Sequence, residues 1–250
     1  MGLITQIDDQ MGVLMRFLEE RDLLETTMIV FTSDHGDYLG DHWMGEKDLF
    51  HDQSARIPLI IIDPSRAADR TRGTACDALV EAIDLAPTFI EYFGGKPADH
   101  ILEGRSLMRW ISGDTPADWR KVVFSEYDYS MQDVRLKLNQ PIEQCRLFMV
   151  FDGRWKYIHA SGFRPMLYDL HGDPQEFDDR GGDASCADVV ARLQAALFDW
   201  ALHPKSHITA SHEKIAAYAD NQLQIKGGIL IGIWDEAELA AIRRRIGISS

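Results

Sequence analysis

The residues most able to do chemistry follow a short apolar segment near the start of the chain. Asp34 and His35 follow residues 27–32 (TMIVFT) after a single serine, Ser33, and Gly36 lets the backbone bend behind them. In α/β enzymes, ligand sites lie at the carboxyl ends of buried strands. A carboxylate oxygen beside an imidazole nitrogen suits Mg²⁺, Mn²⁺, Ca²⁺ or Zn²⁺. Asp34 and His35 are therefore candidate ligands of one divalent ion, the alternative being a turn cap beside a locally bonded histidine.

A lysine and a second histidine follow this pair. Lys47 comes after the turn that contains His42, and its cation can return to the rim of the same cleft. A lysine near a metal can bind the non-bridging oxygens of a sulfuryl or phosphoryl group as charge develops. Lys47 is thus a candidate catalytic and substrate-binding residue, and His42 is a weaker catalytic candidate. The alternatives are a solvated surface lysine and a half-exposed loop histidine.

An amphipathic helix precedes the ligand pair. Its apolar residues recur at intervals of three and four, which is the spacing of one helical face, and the helix is expected to end before Thr26. These apolar positions are Ile4, Ile7, Met11, Leu14 and Leu18.

Two continuous apolar runs flank the candidate site, at residues 27–32 and 56–63. Runs of this length without alternation are typical of parallel strands that are buried on both faces. Together with the preceding helix they form part of a β–α–β pattern. Residues 78–93 predict a further helix, which Pro87 kinks or divides, and residues 107–111 predict a short one.

The pattern changes after about residue 118 to short strands and one helix. Strands are expected at residues 122–127, 146–151, 155–159 and 166–169. Asp152-Gly153, between two of these strands, is a strong hairpin signal. The apolar residues of 187–201 fall on one helical face and predict a helix that packs on the small sheet.

The sequence therefore predicts an α/β fold in three parts. Residues 1–117 form part of a parallel-sheet domain, and residues 118–202 form a small antiparallel subdomain with its packing helix. Residues 203–250 form a tail whose apolar segment, 227–234, docks either on a neighbouring subunit, giving an oligomer, or on its own body.

Composition narrows the class of protein. A formal net charge of −14 and a pI of about 5.0 argue against nucleic acid and against an anionic membrane surface as partners. The three cysteines, at positions 76, 145 and 186, are scattered and form no C-x-x-C motif, which disfavours a disulfide framework. We find no leader-peptide pattern and no apolar run long enough to span a bilayer. The expected compartment is the cytoplasm.

Taken together, these segments resemble the second metal motif of the sulfatases. The matching residues are SDHGD at 33–37, LGDH at 39–42, Lys47, and SARIPL at 54–59. Supporting segments are IDDQMG at 7–12, DGRWKY at 152–157, LYDL at 167–170 and GDPQE at 172–176. Within this family the chain is most similar to the phosphonate monoester hydrolases of the alkaline phosphatase superfamily, through about Trp200.

The resemblance implies a fold, a site and a reaction. The first 117 residues would belong to an alkaline-phosphatase-like parallel-sheet domain. Asp34 and His35 would bind one divalent ion (Mn, Ca, Mg or Zn), and Lys47 would contact the sulfate or phosphonate group. The substrate would be a small anionic ester, cleaved by in-line attack on sulfur or phosphorus.

The nucleophile of this family has no counterpart in the sequence. Family members carry it in a C-x-P/A-x-R or S-x-P/A-x-R segment, as a formylglycine made from cysteine or as a serine, and neither pattern occurs here. The Asp-rich stretch that supplies further metal ligands has no counterpart either. The chain therefore resembles the C-terminal half of such an enzyme, and in isolation we expect it to be inactive, with its metal weakly held or absent. Its expected partner is an N-terminal half chain or a second copy.

Two other interpretations stay open. The chain could be a non-catalytic assembly fragment that binds through an uncovered sheet edge and residues 227–234. It could also be a phosphatase or phosphomutase of the same superfamily, although the segment at residues 56–58 and the C-terminal hairpin favour the sulfatase branch.

Overall fold

A computed structural model describes residues 2–202, 211 and 213–215, together with the backbone of 228–229 and 232–233. The two last segments pair as a short antiparallel ladder. The predicted role of the tail in oligomerisation otherwise lies outside the described residues. Across the described ranges, no helix combines the length and apolar character that crossing a bilayer requires.

The chain begins with the predicted amphipathic helix, α1 (Gly2–Glu20). None of its residues is buried. Its exposed large apolar side chains are Leu3, Ile4, Ile7, Val13, Leu14 and Phe17. Since apolar side chains gain free energy by leaving water, this face of α1 is one that another surface could cover.

The two apolar strands pair in a different way from the one predicted. Strands β1 (Ile29–Thr32) and β2 (Leu59–Ile62) form a two-stranded antiparallel sheet, so the expectation of parallel strands is wrong for this pair. A parallel pair needs a crossover that runs back along the sheet, usually a long helix. The connection here contains only a 3-10 turn, Asp41–Trp43, and the four-residue helix α2 (Asp52–Ala55). The strands are also partly exposed rather than buried on both faces.

Helical segments follow the two-stranded sheet. The predicted helix at 78–93 is a 3-10 turn, Ala82–Asp84, that continues into α3 (Leu85–Tyr92). Pro87 lies in the first turn of α3, where its missing N–H has no helical partner to lose. The short predicted helix is α4 (Met108–Ile111). The buried Asp84 carboxylate accepts hydrogen bonds from both terminal nitrogens of Arg120 and so connects this helical region to the segment just before the next sheet.

The C-terminal part contains the predicted antiparallel sheet. Its strands are β3 (Val123–Asp128), β4 (Arg146–Phe151), β5 (Trp155–Ala160) and β6 (Met166–Asp169), in the order 3-4-5-6. A short helix, α5 (Asp133–Lys137), lies between β3 and β4. The mixed α/β class is confirmed, and Asp152-Gly153 makes the predicted hairpin turn.

The two faces of this sheet are both covered. Helix α6 (Ala187–Leu202) covers one face, where Leu193 and Leu197 pack in one cluster with inward-facing residues of β4, β5 and β6. Phe50, from the connection between β1 and β2, packs on the other face with Met149, Ile158 and Tyr168. The sheet therefore holds the segment that carries the candidate site.

Candidate functional site

The connection between β1 and β2 folds back on itself through a small set of hydrogen bonds. The Gly36 N–H donates to the Ser54 carbonyl at 2.8 Å, and the Tyr38 N–H donates to the Glu46 carbonyl at 2.9 Å. The Ser54 hydroxyl donates to the carbonyl of Lys47. These bonds bring the beginning, middle and end of the connection together, so Asp34, His35 and Lys47 meet.

Gly36 allows the closest of these approaches. A Cβ atom at this position would lie 1.9 Å from the backbone oxygen of Gln53, in α2. No side chain fits into that gap, because real Cβ contacts do not fall below about 3 Å. The glycine that follows the ligand pair is therefore needed for backbone packing as well as for bending.

The His35 ring is oriented by a backbone contact. Its Nδ1 lies 2.7 Å from the carbonyl oxygen of Gly36. A carbonyl can only accept, so Nδ1 carries the proton and the lone pair lies on Nε2. Metal-binding histidines are commonly held in this way, with the non-ligating nitrogen donating to a carbonyl or carboxylate.

The predicted residues meet at Nε2 of His35. The Lys47 Nζ lies 3.0 Å from this nitrogen, and an Asp34 carboxylate oxygen lies 3.5 Å from it. The Asp34 side chain is 85% exposed and that of His35 is 38% exposed. The structure thus brings Asp34, His35 and Lys47 together at an accessible surface.

The donor set fits part of a divalent metal site. One carboxylate and one properly oriented imidazole are suitable ligands, but stable sites in proteins use three or more. Within the part of the chain that the structure describes, no group of three or more His, Cys, Asp or Glu side chains is arranged to hold a metal. Asp34 and His35 could therefore hold an ion firmly only together with ligands from elsewhere.

The structure places His42 in an aromatic cluster. Its ring stacks on His51 with centroids 4.0 Å apart, and the Phe177 ring lies 4.8 Å away. The Tyr38 hydroxyl lies 2.8 Å from Nδ1 of His51. Burial, with a further contribution from His42, lowers the pKa of His51 to about 4. Burial also raises the pKa of Tyr38 to about 12, so at neutral pH the phenol donates to a neutral imidazole.

The backbone between the ligand pair and α2 is unusually strained. Five non-glycine residues within eleven positions have positive φ angles, namely Leu39, His42, Trp43, Glu46 and Leu49. Conformations of this kind cost free energy and cluster at functional sites, where the surrounding structure enforces them. The strained segment contains Lys47 and His42, two of the predicted site residues.

A buried ion cluster supports the site, and sequence reasoning missed it. The Lys156 Nζ, on β5, lies 2.6 Å from an Asp52 oxygen and 2.7 Å from a Glu176 oxygen, and it donates to the Phe50 carbonyl at 2.9 Å. The other Glu176 oxygen accepts the Asp52 N–H at 2.7 Å. Lys156 and Glu176 are 2% exposed. A lysine within the apolar strand β5 was the only signal for this cluster.

Comparisons with known proteins agree on one family. The family described as "N-sulphoglucosamine sulphohydrolase, C-terminal" matches residues 40–202. The chain is 35% identical over 206 residues to the multifunctional alkaline phosphatase superfamily protein PehA of Trinickia caryophylli, covering 80% of this chain and 39% of that protein. It is 27% identical over 230 residues to the N-acetylglucosamine-6-O-sulfatase of Bacteroides thetaiotaomicron, covering 89% of this chain and 38% of that protein.

Solved structures give the same result. The fold is similar to that of the phosphonate monoester hydrolase of Agrobacterium radiobacter, with a TM-score of 0.74 and 33% identity over 80% of this chain and 40% of that one. The chain thus spans about two-fifths of the length of the relatives that it matches. It belongs to the sulfatase and phosphonate monoester hydrolase family of the alkaline phosphatase superfamily, and corresponds to the C-terminal region of that family.

Proposed function

We propose that this chain supplies the C-terminal part of the active site of a metal-dependent hydrolase of sulfate, phosphonate or phosphate esters. The observation that carries the proposal is the convergence of Lys47 Nζ and an Asp34 oxygen on Nε2 of His35, at 3.0 and 3.5 Å. These three side chains are drawn from positions up to thirteen residues apart and meet at an exposed surface. Family membership supports an anionic ester as the substrate class.

Each residue has a role that follows from its chemistry. Asp34 and the Nε2 lone pair of His35 would hold a divalent cation (Mn, Ca, Mg or Zn), which when bound supplies Lewis-acid stabilisation of negative charge. Lys47 binds the non-bridging oxygens of the ester and neutralises their charge as the bond to the leaving group breaks. His42 remains the weaker candidate for a proton donor, since its ring contacts are with His51 and Phe177.

The proposal includes a complementing segment. The sequence has no C-x-P/A-x-R or S-x-P/A-x-R segment, and Asp34 and His35 are too few ligands for a stable site. We therefore expect the nucleophile and the remaining carboxylates to come from polypeptide outside these 250 residues. The 250-residue chain alone should bind metal weakly and turn over neither a nitrophenyl sulfate nor a phenylphosphonate ester. The cytoplasm remains the expected compartment.

One further observation favours a second candidate, an assembly module without catalysis. The exposed apolar side chains of α1 form a surface that could bind another chain whether or not a metal is present. The two candidates differ in what metal-ligand substitutions do, because an assembly module has no need of Asp34 or His35.

The test measures Zn²⁺ and Mn²⁺ affinity by equilibrium dialysis of the 250-residue chain. Asp34→Ala and His35→Ala should each weaken binding at least about tenfold, which corresponds to about 1.4 kcal/mol. Asp99→Ala and His171→Ala remove the same groups from exposed positions and should leave the affinity unchanged. Equal affinity in all four variants would contradict the assignment. Turnover of either ester by the pure chain, abolished by Asp34→Ala, would contradict the need for a complementing segment.

A further inference from the structure

Ser54 lies where the two halves of the candidate site are joined. It is 4% exposed and belongs to the four-residue helix α2. Its carbonyl accepts a 2.8 Å hydrogen bond from the N–H of Gly36, the residue that follows His35. Its hydroxyl donates to the carbonyl of Lys47. One buried serine therefore bonds to the backbone beside the metal-ligand pair and to the backbone of the anion-binding lysine.

These contacts complete a closed ring. From Ser54 the ring runs through Gly36 to His35, across the 3.0 Å contact from Nε2 to the Lys47 Nζ, and back through the Lys47 carbonyl to the Ser54 hydroxyl. The Ser54 hydroxyl is the only side-chain group in the ring besides the two that do chemistry. Removing it opens the ring without altering any charge.

Helix α2 fixes the ring to the rest of the molecule. Asp52, at its first position, bonds through its carboxylate to Lys156 and through its N–H to Glu176. Lys156 and Glu176 belong to the C-terminal sheet and the segment after it, and both are buried. Ser54 is thus held in place by rigid elements, which a positioning residue requires.

We propose that Ser54 is a positioning residue, whose hydroxyl fixes the Lys47 backbone so that the ammonium group stays at the candidate site, beside Nε2 of His35 while no metal is bound. Lysine has a long flexible side chain, and without a fixed backbone its cation samples many positions. Holding it in one place before substrate arrives lowers the entropy cost of binding an anionic group there. The inference rests on the proposed function for its purpose, but its geometry can be tested without metal or substrate.

The first measurement is the long-range ¹H–¹⁵N NMR spectrum of the His35 ring in the metal-free chain. The native ring should show a proton on Nδ1 and an Nε2 that accepts a hydrogen bond. Lys47→Met removes that donor and should move the Nε2 signal. Ser54→Ala should move it in the same direction, and Ser54→Cys, which keeps a weak donor, should give an intermediate shift. The proposal would be overturned if Lys47→Met moves the Nε2 signal and Ser54→Ala leaves it unchanged.

The matched control is Ser112→Ala. Its hydroxyl also donates to a backbone carbonyl, that of Arg109 at 3.0 Å, but it lies at the end of α4. It should leave the His35 signals unchanged. If Ser54→Ala fails to fold, Ser54→Cys takes its place. A folded Ser54→Cys protein with an Nε2 signal identical to the native one would then count against the proposal, provided that Lys47→Met moves that signal.

The second measurement is a double-mutant cycle on Zn²⁺ affinity. Because the Lys47 ammonium competes for the Nε2 lone pair and repels a cation, Lys47→Met should strengthen Zn²⁺ binding severalfold. Ser54→Ala should strengthen it by a smaller factor and should have no effect in the Lys47→Met background. A merely structural serine would weaken binding in both backgrounds, and that result would overturn the proposal. A chain that binds no Zn²⁺ at all would contradict only the weak metal binding expected of the isolated chain, since the NMR arm still reports on Ser54.

Discussion

Gly36 shows how much of the site depends on a single missing side chain. The position combines a close approach to α2 with two hydrogen bonds. The Gly36 N–H donates to the Ser54 carbonyl, and the Nδ1 of the His35 side chain donates to the Gly36 carbonyl. A methyl group could fit only by separating the two backbones. Both bonds would then lengthen, and the His35 ring would lose the contact that selects its tautomer.

We predict that Gly36→Ala destabilises the protein by about 1–3 kcal/mol, the usual cost of overpacking a well-filled region. It should also weaken Zn²⁺ binding as much as His35→Ala does. The measurements are urea unfolding and equilibrium dialysis. Gly45→Ala is the matched control, because a Cβ there meets no atom within 4 Å, and it should change neither quantity. A Gly36→Ala protein of native stability would show that the backbone approach is not needed.

The proximity of the candidate site residues in the fold could be predicted because they lie close together in the sequence. Asp34, His35 and Lys47 fall within fourteen positions, and their types alone suggest a cation and an anion site. The residues that support them could not be predicted. Lys156 and Asp52 are 104 positions apart, and Glu176 and Asp52 are 124 apart, so only the folded chain shows that they are neighbours.

At the scale of elements, α2 is attached to the C-terminal sheet by a buried charge cluster. Lys156 supplies the buried positive charge, and Asp52 and Glu176 supply the negative ones. The exposed Arg56 also lies 3.5 Å from an Asp52 oxygen. Removing one partner of a buried ion pair leaves a desolvated charge without compensation, which is more costly than the pair itself is stabilising. The attachment of α2 therefore depends strongly on Lys156.

We predict that Lys156→Met costs about 3–5 kcal/mol at neutral pH. Burial raises the pKa of Glu176 although Lys156 opposes the rise, so the folded state binds a proton more readily than the unfolded one. The contribution of Glu176 to stability therefore falls as pH rises from its unfolded pKa through its folded pKa. Without Lys156 the pKa rises further, and the variant should be less destabilised at pH 5 than at pH 8.

Urea unfolding at both pH values checks this prediction, with Lys121→Met as an exposed-lysine control that should change little at either pH. A loss of stability that is equal at pH 5 and pH 8 would indicate that Glu176 is not the group left uncompensated.

The elements themselves were predictable to different degrees. Strands β4 and β6 have the predicted bounds, β3 is shifted by one residue at both ends, and β5 ends one residue later than predicted. The agreement is close because alternation and the Asp152-Gly153 turn are local signals. The relative direction of strands β1 and β2 has no local signal in the sequence. An apolar run such as residues 27–32 indicates burial, but it does not say which way the neighbouring strand runs, and only the short connection determines that.

At the scale of the whole molecule, more of the exposed large apolar side chains of the described residues lie in the first hundred residues than after them. Besides α1, the β1–β2 sheet exposes Phe31, Ile60 and Ile62, and the pairing register places all three on one face. Helix α3 and the residue after it expose Phe89, Ile90 and Phe93. Exposed apolar surface of this extent favours association with another protein surface.

We predict that the 250-residue chain self-associates reversibly at micromolar concentration. The double substitution Ile7→Glu and Leu14→Lys, on the exposed face of α1, should shift it toward the monomer because charged groups resist burial. Multi-angle light scattering across a concentration series measures this. Phe163→Glu changes an exposed aromatic residue outside these elements and should leave the association unchanged. A strictly monomeric chain at the highest concentration would contradict the prediction.

The contact between α2 and the sheet also determines when the site can form during synthesis. The sheet pairs its strands in chain order, so each strand can join as it leaves the ribosome. The strained connection cannot finish folding until Lys156 and Glu176 are made, 104 and 124 residues after Asp52. At a synthesis rate of about 5–20 residues per second, the connection remains on the order of ten seconds without its contacts to Lys156 and Glu176. During that interval a translating chain exposes His35, the candidate metal ligand, before it has the structure that orients this side chain.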